Sequence, residues 1–224
     1  MSLSLKISDA TFTKYVSSLP PYITLAKAFY LFGGSQAESV KNYANSALPA
    51  TVLGTPTYST GYASVTASTD GFDSGVYNTS PFTHIVIVAD SSNGVCGNWY
   101  NPSANNANLI QNTGTTARLA LDSNIRATVT APTSSGFKML AATHDNTTAS
   151  IHYHNGTSLV TNSAAYGAST KSPTAFRVGA GFADAQVFRV AAAMTFQTAL
   201  TGAQITEIYT YLKALLSTRG ITVL

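Results

Sequence analysis

Lys138-Met-Leu-Ala-Ala-Thr-His144-Asp145-Asn-Thr-Thr148-Ala-Ser-Ile-His-Tyr-His154-Asn155-Gly156-Thr-Ser-Leu-Val160 decides the fold class. Two runs of strand length, Lys138 to Thr143 and Ala149 to His154, flank a cluster of turn formers. Asn155-Gly156 then leads into Thr157-Ser158-Leu159-Val160. Short β-branched and aromatic runs bounded by Asn, Asp and Gly read as strands. Asn-Gly between two of them predicts a type I′ hairpin turn, because both central residues need φ > 0. This region is therefore antiparallel β-structure.

Downstream, Phe188, Val190, Ala192, Met194 and Phe196 alternate with Arg189, Ala191, Ala193 and Thr195, which predicts a strand with one face in the core. After Leu200 the period changes from 2 to 3.6. Thr201-Gly-Ala-Gln204 reads as a capping box, and Ile205, Ile208, Tyr209, Leu212, Leu215 and Leu216 form one apolar stripe. A helix over 202–217 follows, with Arg219 near its end and Gly220 placed to stop it in the left-handed conformation.

Upstream, Thr83 to Ala89 is nearly continuous and β-branched, as a strand covered on both faces would be, and Leu25 to Phe32 is a first strand. Ahead of these, Phe12, Tyr15, Val16 and Leu19 fall at helical spacing behind Asp9, and Pro20-Pro21 ends the segment. Residues 1–21 thus read as a short helical segment leading into one domain over 22–224. Asn101 to Thr116, rich in Asn and Thr, reads as a long surface loop.

A chain of 224 residues suits one large all-β domain. Apolar residues make up 45% and charged residues 9%, against about a quarter in ordinary proteins, so neither a disordered tail nor a coiled coil fits. The 12 basic and 9 acidic residues are scattered, which argues against nucleic acid as a partner. Cys96 is the one cysteine, which excludes an internal disulfide and a Cys-rich metal site. The start lacks a signal-peptide pattern, and no window is long and apolar enough for membrane insertion, so a soluble chain is expected.

The order of elements resembles the concanavalin A-like lectin/glucanase superfamily, in particular its laminin-G-like bacterial and phage members. The resemblance is carried by Gly136 to Asp145, by Ile151-His-Tyr-His-Asn-Gly156, by Phe176-Arg-Val-Gly-Ala-Gly181, and by Val187 through Ile205, with Gln204 where an acid is common. Ala28-Phe-Tyr-Leu-Phe-Gly33 adds an N-terminal match. The resemblance implies a jelly-roll sandwich of two antiparallel sheets. The Thr/Ala/Asn-rich, Lys-poor style further resembles phage tail-fibre and other virion-surface proteins. That implies a virion protein assembled in the host cytoplasm, a host-surface glycan as ligand, other virion proteins as partners, and a homo-oligomer, a trimer if it is a fibre. The alternative is a structural decoration protein that docks through residues 1–21 and binds no glycan.

The chemistry-bearing residues point away from catalysis. A retaining glycosidase needs two carboxyl groups about 5–5.5 Å apart. The two glutamates, Glu38 and Glu207, are far apart in sequence, and no aspartates fall at i, i+2. No G-x-S-x-G elbow occurs either. Asp70-Gly-Phe-Asp73-Ser-Gly75 offers two hard oxygen donors suited to calcium, or is a plain glycine-rich turn. His152 and His154 share a strand face, as solvent-facing side chains or as half of a metal site. Asn98-Trp99-Tyr100-Asn101 combines the aromatic faces that stack on pyranose rings with amides that bond hydroxyls. For Trp99 taken singly, a ring covering the core edge with its indole N–H on a carbonyl is the favoured reading.

Overall fold

The computed structural model describes residues 19–90, 92–98, 108–113, 115–131, 136–170, 174–180 and 187–224. The first strands are β1 (Ala26–Leu31), β2 (Thr51–Leu53), β3 (Thr57–Ser59), β4 (Tyr62–Val65), β5 (Gly71–Asp73), β6 (Phe82–Ala89) and β7 (Ser92–Gly97). They are followed by β8 (Asn108–Thr113), β9 (Thr116–Leu121), β10 (Asn124–Thr130), β11 (Lys138–His144), β12 (Thr148–His154), β13 (Leu159–Ala165), β14 (Arg177–Gly179) and β15 (Phe188–Phe196). A single 3₁₀ turn (Ile23–Leu25), one short α-helix, α1 (Gln36–Ser39), and one long one, α2 (Gly202–Ser217), complete the described elements.

The strands form an all-β jelly-roll sandwich of two antiparallel sheets. One sheet runs β13-β12-β11-β6-β15-β4-β3, with β1 also paired to β15; the other runs β10-β9-β8-β7-β14-β5-β2. Strand β6 lies between β11 and β15 and buries all eight residues. Its Phe82, Val86 and Val88 face the opposite sheet, where they meet Val95, Ile110, Leu119, Phe176 and Val178. Its Ile85, Ile87 and Ala89 face the other way, toward α2. That double burial is why residues 83–89 read as a nearly continuous apolar run.

Helix α2 covers the outer face of the first sheet. Ile205, Ile208, Tyr209, Leu212 and Leu216 are its buried stripe and pack with Phe29, Met139, Met194 and Phe196. The capping box forms: Gln204 N donates to Thr201 Oγ1 at 3.3 Å and Thr201 N to Gln204 Oε1 at 2.8 Å. At the other end Gly220 has φ +77° and Ile221 N donates back to the Leu216 carbonyl at 3.0 Å. The free edge of β1 is closed by Asn42, whose Oδ1 accepts from Phe29 N at 3.1 Å. An edge covered in this way offers no template to another strand.

Three expectations are corrected. Residues 108–113 form strand β8 inside the stretch read as a surface loop. Leu109 and Ile110 anchor it, and its asparagines Asn108 and Asn112 are buried. The β12–β13 connection is a four-residue loop, 155–158, with positive φ at Gly156 but not at Asn155. Asn155 Oδ1 instead accepts from Thr157 N and Ser158 N at 2.9 and 2.8 Å, so a side chain does the work of a tight turn. The two-residue turn with both φ positive is Asp122-Ser123, between β9 and β10, at +49° and +69°. Finally, His152 and His154 do share a face, but they are only 5% and 3% exposed. Thr143 Oγ1 and Thr161 Oγ1 hold the two ring nitrogens of His152 at 3.1 and 2.9 Å, while His154 stacks on Tyr209 of α2 at 3.5 Å. Most of the proposed docking segment, residues 1–18, lies outside the described residues.

Candidate functional site

Strand registers sort the connections into two ends. At one end lie the segment 74–81 after β5, the stems of the β7–β8 connection at Asn98 and Asn108, the Asp122-Ser123 turn, and residues 166–170 and 174–176. Asn98 stands at the foot of the stretch expected to bind carbohydrate. Trp99, Tyr100 and Asn101 lie outside the described residues.

Asn98 is buried, which removes it from the ligand-facing set. Its Nδ2 donates to the Thr174 carbonyl at 2.6 Å and to the Val76 carbonyl at 3.4 Å, and its backbone N donates to Asn108 Oδ1 at 3.1 Å. Asn108 Oδ1 also lies 2.8 Å from His84 Nε2, and His84 Nδ1 lies 2.8 Å from Thr195 Oγ1. Asn78 Nδ2 donates to that same hydroxyl oxygen and, at 3.3 Å, to the Phe196 carbonyl. The amide donors at the two ends fix the sense of the chain. Thr195 O–H points to Nδ1, and Nε2–H donates to Asn108. Burial between Phe82 and Phe176 lowers the His84 pKa to about 3, so the imidazole is neutral at physiological pH. Both stems of the 99–107 connection are thus clasped to the central strand.

A second cluster adjoins it, because Asn108 pairs with Leu121 and Asp122 follows. The Asp122 carboxylate accepts from Tyr166 Oη at 2.8 Å, Thr170 N at 2.8 Å, Thr170 Oγ1 at 3.0 Å and Ser169 Oγ. Burial pushes its pKa up, but these donors outweigh burial and hold it below the usual carboxylate range. Arg126, the extra residue of a bulge between Ile125 and Ala127, lays its guanidinium 3.9 Å over the Tyr166 ring. His144 Nε2 lies 3.0 Å from the Tyr166 carbonyl. The rim from 166 to 170 is therefore built on fixed supports.

Among the described residues, the aromatic side chain exposed on this rim is Tyr77, at 64%. It stands between Val76, whose carbonyl holds Asn98, and Asn78, whose amide enters the network. Nothing in the sequence alone separates Tyr77 from the other tyrosines. Its position between two anchored residues is a three-dimensional signal.

The candidate calcium residues are not brought together as ligands. Asp70 is buried at the opposite end. Its Oδ1 accepts from Thr55 N at 2.8 Å, and its Oδ2 accepts from Thr66 Oγ1 and N at 2.9 and 3.3 Å. Asp73 Oδ2 pairs with Arg177 Nε at 2.7 Å and its Oδ1 accepts from Gly75 N at 2.9 Å. Both carboxylates staple turns and strands. Cys96 is buried, and burial pushes its thiol pKa far up, leaving it unreactive.

No protein-family model and no curated protein sequence matches the chain. Solved structures do. The chain is similar to domain 4 of AbnA, a GH43 extracellular arabinanase from Geobacillus stearothermophilus, in complex with arabinotriose. The identity is 16% over 82% of this chain and 97% of that domain, with a TM-score of 0.57. It is similar to the ligand binding domain of botulinum neurotoxin serotype D in complex with N-acetylneuraminic acid, at 11% identity, 84% and 51% coverage and a TM-score of 0.58. It is also similar to Trypanosoma rangeli sialidase in complex with sialic acid, at 12% identity, 84% and 33% coverage and a TM-score of 0.56. The chain spans about half of the toxin domain and a third of the sialidase. At these identities the likeness is one of fold.

Proposed function

We propose that this chain is a non-catalytic carbohydrate-recognition module, serving as a tail-fibre or other receptor-binding component of a phage virion that engages host-surface glycans. One observation carries the glycan reading. Tyr77 is exposed on the rim, and the stems of the neighbouring segment that holds Trp99, Tyr100 and Asn101 are clasped by buried Asn98, Asn108 and His84. An exposed aromatic face between anchored residues, as at Tyr77, suits pyranose stacking, since little freedom is lost on binding. The solved structures of like fold in complex with arabinotriose, N-acetylneuraminic acid or sialic acid lend the reading support. The virion assignment rests on the low charge, the Thr/Asn-rich composition and the sequence resemblance.

The absence of enzymatic activity is part of the proposal. Among the described carboxylates, Asp70, Asp73 and Asp122 are each occupied by protein donors, as is Asp145 by Thr147 and Thr148. In the virion the module would form a homo-oligomer, a trimer in a fibre, and contact other virion proteins.

The test is a screen of host-envelope polysaccharides and a glycan array, with wild type, Trp99→Ala and Tyr77→Ala, in calcium and in chelator. Saturable binding lost in the variants supports the reading. A folded protein at high concentration that binds nothing on a broad panel overturns it and favours a decoration role.

A further inference from the structure

The β12–β13 hairpin tip, at the end opposite the proposed glycan rim, carries a reactive arrangement with no part in that reading. The chain has two Asn-Gly steps, Asn93-Gly94 within strand β7 and Asn155-Gly156 in the exposed loop 155–158. At Asn155-Gly156 three features converge. The Gly156 N–H donates to His154 Nδ1 at 3.2 Å. The Asn155 Oδ1 receives two backbone N–H groups, from Thr157 at 2.9 Å and Ser158 at 2.8 Å. Position 156 has no side chain to obstruct its nitrogen, and its φ is +94°.

We infer that Asn155 is a self-modifying residue, at which the folded hairpin promotes succinimide formation and deamidation. The Gly156 nitrogen is the nucleophile and His154 Nδ1 accepts its proton. The nitrogen bonds to Asn155 Cγ, closing a five-membered ring. Thr157 N and Ser158 N stabilise the charge that develops on Oδ1, as paired amides do wherever an oxyanion forms. The Cγ–Nδ2 bond breaks, and Nδ2 leaves as ammonia with the proton returned from His154. Water then opens the ring to aspartate or isoaspartate. The net change is one water consumed and one ammonia released, with no oxidation or reduction.

The packing keeps His154 neutral, with its Nδ1 lone pair on the Gly156 N–H. It stacks on Tyr209 at 3.5 Å, and Lys213 Nζ donates to Tyr209 Oη at 3.0 Å while that hydroxyl donates to the Leu224 carbonyl at 2.8 Å. Burial first, and the Lys213 charge second, lower the His154 pKa, favouring the neutral ring. In Asn93-Gly94 the backbone is tied into the β7–β8 ladder, where Asn93 pairs with Asn112 and Gly94 with Gln111. The product places a new carboxylate at the tip, and isoaspartate adds one methylene to the main chain of the loop.

The test incubates folded wild-type protein and the same protein unfolded in urea, in one buffer, and follows the Asn155 and Asn93 peptides by mass spectrometry with isoaspartate detection. Deamidation of Asn155 at least about tenfold faster in the folded protein, with Asn93 unmodified there, is expected if a positioned base and oxyanion donors act. His154→Gln, with its fold verified by circular dichroism, is expected to lose most of that acceleration. A folded rate at or below the unfolded rate overturns the inference without requiring any variant. An unchanged rate in folded His154→Gln removes histidine from the mechanism and overturns it as stated.

Discussion

His84 of β6 and Asn108 of β8 are joined across the sandwich, the imidazole Nε2 lying 2.8 Å from Asn108 Oδ1 in a region closed to solvent. Each satisfies a group that the other would leave bare. Asn108→Ala strands His84 Nε2 and the Asn98 N–H together, and an orphaned buried donor costs about 1–3 kcal/mol. The double variant His84→Phe/Asn108→Leu removes both partners. Urea unfolding of the single and double variants is expected to show a loss in Asn108→Ala that the double variant partly recovers. Independent, additive losses would show that the pair is not coupled.

The same burial makes stability depend on pH. The folded pKa is about 3 for His84 and about 4 for His152, in both cases lowered by burial from an unfolded value near 6.5, and burial lowers His154 as well. These rings are neutral in both states above about pH 7. As pH falls below 6.5 the unfolded chain takes up protons that the folded chain refuses. Stability therefore drops by up to about 1.4 kcal/mol per pH unit for each histidine until the folded pKa is reached. Urea midpoints measured from pH 8 to 5 are expected to fall below 6.5; a flat profile over that range would contradict the buried, neutral assignment.

Much of this fold was legible because two periodicities stay clean. Alternation from Phe188 to Phe196 gives β15, and the 3.6-residue stripe from Ile205 to Leu216 gives α2 with its capping box. What escaped was structure made by polar side chains. Asn108 and Asn112 read as loop residues, yet they are buried in β8. Asn98 read as an amide for a ligand, yet its partners are carbonyls 22 and 76 residues away in sequence. Composition cannot tell an asparagine that meets solvent from one that clasps a loop. Asp122-Ser123 lacks the glycine that announces a type I′ turn, because hydrogen bonds from distant residues offset the left-handed backbone.

That offset is testable. Asp122→Ala loses four hydrogen bonds to a charged acceptor along with a side chain that tolerates φ +49°, and about 3 kcal/mol of destabilisation is expected. Asp122→Asn keeps the turn and costs less. The folded pKa of Asp122 is depressed, so its charge-dependent contribution is present above the unfolded pKa near 4 and disappears as pH falls through the folded value. Thermal melts at pH 7 should rank wild type above Asp122→Asn above Asp122→Ala. Equal melting temperatures would mean the 166–170 segment holds itself.

Asp70 and Asp73 lead to an expectation about calcium. Asp70 has both oxygens occupied by Thr55 and Thr66, and Asp73 is engaged by Arg177 and Gly75. Adding millimolar calcium or a chelator should leave the melting temperature unchanged, while Asp70→Ala lowers it equally in either condition. A calcium-dependent rise that vanishes in Asp73→Asn would show that the ion displaces Arg177 and would restore the metal-site reading.

Helix α2 separates intrinsic helix signals from packing. Thr201→Ala removes the cap from Gln204 N and should cost about 1 kcal/mol. Leu216 is fully buried between the helix and the outer face of the first sheet, so Leu216→Ala leaves a cavity beside Leu212, one turn earlier, and should cost about 2–5 kcal/mol. The same apolar cluster includes Phe29, Met139, Met194 and Phe196. The leucine variant should therefore loosen β1, β11 and β15 as well as α2, and hydrogen exchange should show their amides losing protection together. If exchange instead rises in α2 alone with the sheet unchanged, the helix is an appendage and the outer face of the sheet is stable without it.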